Sequence, residues 1–143
     1  MEREYSTVSV HKKSIWIADD DPDDRLIIKE AFEENHYNNP ISFFEDGEKV
    51  LIKFKENSNL NDFDFPSLLI LDLNMPKVNG LELLTLLKKN EKTKHIPVII
   101  LTTSKSKSDK QKLIDIGADD YITKPYSFDS MIEITKNLIE KYG

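Results

Sequence analysis

Five short apolar runs recur along the chain, and each is followed by a stretch with helical periodicity. The runs are residues 14–19 (SIWIAD), 41–45 (ISFFE), 67–72 (SLLILD), 96–101 (IPVIIL) and 120–123 (DYIT). Each is short, apolar or β-branched, and bounded by breakers, as buried strands are. Asp21 and Pro22 supply an N-cap and a first helical residue after the first run. Leu26, Ile27, Ala31 and Phe32 are expected to form that helix's apolar stripe. The second helix starts at Gly47 and carries Val50, Leu51 and Phe54, and the third follows Met75 and Pro76 with Leu81, Leu83, Leu84, Leu86 and Leu87 on its core face. A polar helix over 107–116 stops at Gly117, a common terminating residue. In the last helix, 128–141, a buried stripe is expected from Phe128, Met131, Ile132, Thr135, Leu138, Ile139 and Tyr142, with Ile134 at its margin. Strands alternating with helices predict βαβ units, a parallel sheet and helices on both faces.

In a sheet of this kind the functional site lies at the carboxyl ends of the strands. The first strand ends in Asp19, Asp20 and Asp21, the third in Asp72, the fourth in Thr102 and Thr103, and the fifth in Lys124 and Pro125. Several carboxylates, a hydroxyl and an ammonium therefore converge. Clustered carboxylates stay ionised together when a cation sits among them, and oxygen ligands without His or Cys favour Mg²⁺ over zinc. A carboxylate beside such a cation suits nucleophilic attack on phosphorus, with the ammonium and hydroxyl neutralising the phosphoryl oxygens. One long connection, 57–66, is expected to lie at the opposite end of the sheet.

Composition narrows the alternatives. There is no cysteine, which removes disulfides and thiolate chemistry. The net charge of −6 argues against nonspecific nucleic-acid binding, and the cluster Lys105, Lys107, Lys110 and Lys112 reads as a solvated helix face. The 13 N-terminal residues read as an extension without a signal peptide, and no run approaches a membrane span, so a cytoplasmic protein is expected. His11, His36 and His95 have no metal-like spacing and read as surface residues. Residues 19–30 imitate a calcium loop, but Asp24 stands where the sharp turn needs Gly, and Pro22 opens a helix instead.

The motifs WIADDDPDD, LLILDLNMP, VIILTTS and YITKP resemble, in order and spacing, the receiver domains of two-component response regulators, over nearly the whole chain. The resemblance implies a flavodoxin-like (βα)5 doubly wound sheet of strand order 2-1-3-4-5, covering 14–143. It implies Asp72 as phosphoacceptor, Asp19, Asp20 and Asp72 as Mg²⁺ ligands with the backbone carbonyl of Asn74, and Lys124 on the phosphoryl group. Thr102 is then the switch hydroxyl and Tyr121 the aromatic that changes rotamer on activation. The Lys124–Pro125 bond is commonly cis in such proteins. The implied partners are a histidine kinase, phytochrome-like or hybrid, and a downstream target protein. Contact is expected through the face of the fourth helix, fifth strand and fifth helix, a homodimer included, with no DNA and no membrane involved. No enzyme is implied beyond self-catalysed phosphorylation and dephosphorylation. The competing readings are a degenerate receiver serving as a binding module, and an aspartyl-phosphate phosphatase. The latter needs a second Asp where this chain has Asn74.

Overall fold

In the computed structural model, which describes residues 13–57 and 65–143, the predicted alternation holds. The elements are β1 (Ile15–Ala18), α1 (Pro22–Glu34), β2 (Ile41–Phe44), α2 (Gly47–Glu56), β3 (Leu68–Leu71), α3 (Gly80–Lys89), β4 (Val98–Thr102), α4 (Lys107–Ile116), β5 (Asp120–Thr123) and α5 (Phe128–Tyr142). The strands form one parallel sheet of order β2-β1-β3-β4-β5.

Strand side chains alternate between the two faces of the sheet and split the core into two layers. Trp16, Ala18, Leu69, Leu71, Val98 and Ile100 pack with residues of α2, α3 and α4. Ile15, Ile17, Leu68, Ile70, Ile99 and Leu101 pack with residues of α1 and α5. Local chemistry fixes the helix ends. Asp21 caps α1 by accepting from the Asp23 N–H, Asn79 and Glu82 close a capping box on α3, and Gly117 ends α4 at φ 134°.

Four residues assigned to the core from periodicity lie outside it. Leu26 (52% exposed), Ile27 (39%), Leu86 (49%) and Phe128 (41%) face solvent. Ala31 and Phe32 are buried as expected, and Ile28 completes the buried stripe of α1 in place of Leu26 and Ile27. Phe128 opens the first turn of α5, where the helix has not yet reached the sheet's hydrophobic layer, and Met131 is its first buried residue. Leu86 is off the line of Leu83, Leu84 and Leu87, which are buried. Ile134 is partly buried at the margin of its layer, as its angular position requires, and His36 and His95 are exposed. All described peptide bonds are trans, that of Lys124–Pro125 included, against the cis form the resemblance implies. Trans is the lower-energy isomer of an X–Pro bond by about 0.5–1 kcal/mol. Residues 1–12 and 58–64 lie outside the described residues, and with them His11, most of the N-terminal extension and most of the long connection.

Candidate functional site

Parallel register brings the predicted residues together. Ala18 is opposite Leu71, so Asp19 and Asp72 leave adjacent strands side by side. The backbone extends the ladders past the strand ends: Asp72 N–H donates to the Ala18 carbonyl at 3.0 Å, and Lys124 N–H to that of Thr102 at 2.8 Å. Asp19, Asp72 and Thr102 are buried, whereas Asp20 is exposed.

Lys124 is the hub. Its Nζ donates to Asp19 Oδ2 at 2.7 Å, Asp24 Oδ2 at 2.7 Å and Asp72 Oδ2 at 3.0 Å. An ammonium carries three N–H donors, so this set engages all of them. Burial alone would lower the lysine's pKa, but its hydrogen bonds to Asp19 and Asp24, with the charges of the cluster, hold it well above the usual lysine range. Asp19 moves the other way from an ordinary paired carboxylate. Its burial outweighs the hydrogen bonds from Lys124 and the Asp21 N–H, and the carboxyl is pushed up.

The acceptor loop is tightly wrapped. Asn74 N–H donates to Asp72 Oδ1 at 3.4 Å, and the Asn74 side chain is exposed. A Cβ on Gly80 would stand 2.4 Å from the Asp72 carbonyl oxygen, so only glycine lets α3 start this close to the acceptor. On the other side, Thr102 Oγ1 accepts from Ser104 N–H at 3.4 Å. The Tyr121 ring is buried, with its hydroxyl donating to the Ser104 carbonyl at 3.0 Å.

Asp19, Asp20 and Asp72 offer carboxylate oxygens that all lie within 4.8 Å of one another. Three hard oxygen donors at this spacing, with no His or Cys among them, fit a divalent cation of the Mg²⁺ or Mn²⁺ kind.

Two residues that contact the cluster were not singled out from the sequence. Asp24 reaches Lys124 from the first turn of α1, and Arg25 Nη1 donates to the Asp19 carbonyl at 2.7 Å. Asp24 lies in the first turn of the helix that opens at Pro22, which keeps it beside the strand ends.

Comparison with known proteins agrees with this geometry. Against a probable transcriptional regulatory protein of Picosynechococcus sp., the chain is 32% identical over 131 residues, which is 91% of this chain and half the length of that protein. The crystal structure of the phosphorylated cyanobacterial phytochrome response regulator RcpA superposes with a TM-score of 0.81 at 29% identity, covering 91% of this chain and 93% of RcpA. The Mn²⁺-bound form of response regulator Rcp1, a protein of Synechocystis sp., gives a TM-score of 0.78 at 26% identity, with 89% and 91% of the two chains covered. The family model of the response regulator receiver domain matches residues 15–136. With a flavodoxin-like sheet, an acidic pocket at its carboxyl edge and this match, the chain belongs to the response regulator receiver domain family.

Proposed function

We propose that the chain receives a phosphoryl group on Asp72 from a phosphohistidine of a histidine kinase, with Mg²⁺ as the cation, and signals the change by protein contact. The observation that carries this is the buried Lys124 Nζ bonded to both Asp72 and Asp19. In the reaction, an Asp72 carboxylate oxygen forms the new O–P bond while the P–N bond to the histidine breaks. The bonding pair leaves with the imidazole nitrogen. Water later attacks the acyl phosphate and returns carboxylate and inorganic phosphate. Asp19, Asp20, Asp72 and the Asn74 backbone carbonyl would hold Mg²⁺, which neutralises phosphoryl charge when bound. Lys124 orients a phosphoryl oxygen, and the Thr102 hydroxyl takes another. No separate substrate is turned over.

Thr102 and Tyr121 then link the acceptor to α4, β5 and α5, the face we assign to a target protein or a second copy of the chain. Residues 14–143 form the receiver unit and 1–13 an extension. That RcpA is a phytochrome response regulator supports a kinase of the phytochrome-like or hybrid kind. Incubation with acetyl phosphate and Mg²⁺ tests the core of the proposal. One hydroxylamine-labile phosphoryl group is expected, absent without Mg²⁺ and absent in Asp72→Asn. Labelling of Asp72→Asn would overturn the assignment. Phosphotransfer profiling against the histidine kinases of the source organism identifies the donor.

A further inference from the structure

Lys124 has no donor to spare. Its three N–H groups are matched by Asp19, Asp24 and Asp72, so contact with a phosphoryl oxygen requires one of these bonds to be given up. The three are not equivalent. The Asp19 side chain is 2% exposed and that of Asp72 is 9% exposed. Neither has ready access to water as a replacement partner, and Asp72 is itself the group being modified. The Asp24 side chain is 31% exposed and sits on α1 rather than at a strand end, so water takes over its hydrogen bond at the lowest cost.

We infer that Asp24 is a positioning residue that acts through Lys124: it holds the ammonium on α1 while Asp72 is free and releases it to the phosphoryl group when Asp72 is modified. This rests on Asp72 being the acceptor and adds a setting to it. The strength of the Asp24–Lys124 bond opposes phosphorylation, because the lysine leaves one carboxylate to reach the phosphoryl oxygen. Asn at this position keeps one acceptor oxygen but removes the charge, which weakens the competing bond. Glu keeps the charge on a longer arm and restores the competition.

The test is titration with beryllofluoride in saturating Mg²⁺, followed by amide NMR, on wild type, Asp24→Asn, Asp24→Glu and Asp72→Asn. Mn²⁺ affinity of each is measured separately by calorimetry. Asp24→Asn should bind beryllofluoride about threefold to tenfold more tightly than wild type, the range between an exposed and a charge-assisted contact. Asp24→Glu should return to within about twofold of wild type. Mn²⁺ affinity should be unchanged in both, because Asp24 lies outside the set Asp19, Asp20 and Asp72. The Lys124 ammonium resonance should move in Asp24→Asn alone in the direction that beryllofluoride moves it in wild type. Unchanged or weaker beryllofluoride binding in Asp24→Asn would overturn the inference, as would a loss of Mn²⁺ affinity in that variant, which makes Asp24 a metal residue. Beryllofluoride binding that persists in Asp72→Asn would instead remove the acceptor assignment.

Discussion

Helices α1 and α4 flank the same pocket and are held by different means. Helix α1 buries Ile28, Ala31 and Phe32 and is tied at both ends. Asp24 bonds to Lys124, and Asn35, its C-cap, donates through Nδ2 to the Ile132 carbonyl at 2.9 Å and Thr135 Oγ1 at 2.8 Å on α5. Helix α4 buries only Leu113. Its approach is held by the bonds from Ser104 N–H to Thr102 Oγ1, from the Tyr121 hydroxyl to the Ser104 carbonyl, and from Lys105 Nζ to the exposed Tyr126 hydroxyl. Elements with little buried apolar area open at low free energy. The side that carries α1 is thus the more firmly anchored, and α4, beyond Thr102, is held by less buried apolar area. That division fits the proposed function, in which the charges stay in place while the face beyond Thr102 responds.

Removing the hub should have the largest effect. Lys124→Ala leaves Asp19 and Asp72 buried without a counter-charge, a situation that costs about 3–5 kcal/mol. In metal-free buffer, urea unfolding should show a loss of this size, and saturating Mg²⁺ should return part of it. Acid should return part as well. The Asp19 pKa is raised above its ordinary 3.8 in the folded protein, so the folded state takes up that proton first. Its charge therefore opposes folding at neutral pH, and the penalty fades as pH falls toward 3.8. A loss independent of both Mg²⁺ and pH would show that Lys124 serves packing instead.

The two helices can be compared directly by cavity formation. Truncations of this kind cost about 2–5 kcal/mol. Ile28→Ala should fall in the upper part of that range. Leu113→Ala should fall in the lower part and should selectively speed hydrogen exchange in α4. Equal losses, with exchange rising throughout, would erase the contrast.

The same contrast explains what could be read from the chain alone. Strands such as 68–71 are uninterrupted apolar runs that belong to a buried parallel sheet and to little else, and their polar ends announced Asp19, Asp72, Thr102 and Lys124. The stripe of α1 is legible at Ala31 and Phe32 but not at its start, because it is polar at both ends. It runs Asp24, Ile28, Ala31, Phe32, Asn35, and a hydrophobic pattern search passes over its first and last members. Leu26 and Ile27 fill the gap by hydrophobicity although they point outward. The missed contact of Asp24 and the misplaced pair thus have one cause. Polar groups satisfied by partners distant in the sequence leave no hydrophobic mark in local periodicity.

Thr102→Ala should separate the two sides of the pocket. The variant should accept phosphate, because Asp72, Lys124 and the acidic residues are untouched. It should lose most of the response in α4 and β5, a coupling typically worth about 1–3 kcal/mol. Amide NMR with beryllofluoride reads both at once. Equal shift changes on that face in variant and wild type would show that the movement does not pass through this hydroxyl.

The smallest effect concerns the loop between the two sides. Lys77, between the acceptor strand and α3, is a non-glycine residue at φ 68°. Its ammonium stands 3.9 Å from Asp46 and 3.5 Å from Glu48, with the lysine side chain 56% exposed. Ion pairs this exposed contribute about 0–1 kcal/mol, which matches the left-handed backbone cost of about 1–2 kcal/mol only in part. Lys77→Ala removes the pairs and keeps the strain. Lys77→Gly removes both, although glycine's freer unfolded chain takes back about 0.5–1 kcal/mol. Lys77→Gly should therefore be more stable than Lys77→Ala by up to about 1 kcal/mol in urea unfolding, and neither should alter beryllofluoride binding. If Lys77→Ala is the more stable of the two, the loop relaxes to negative φ once the ion pairs are gone. The rigidity of α1 would then end at the acceptor, and the loop would share the freedom of α4.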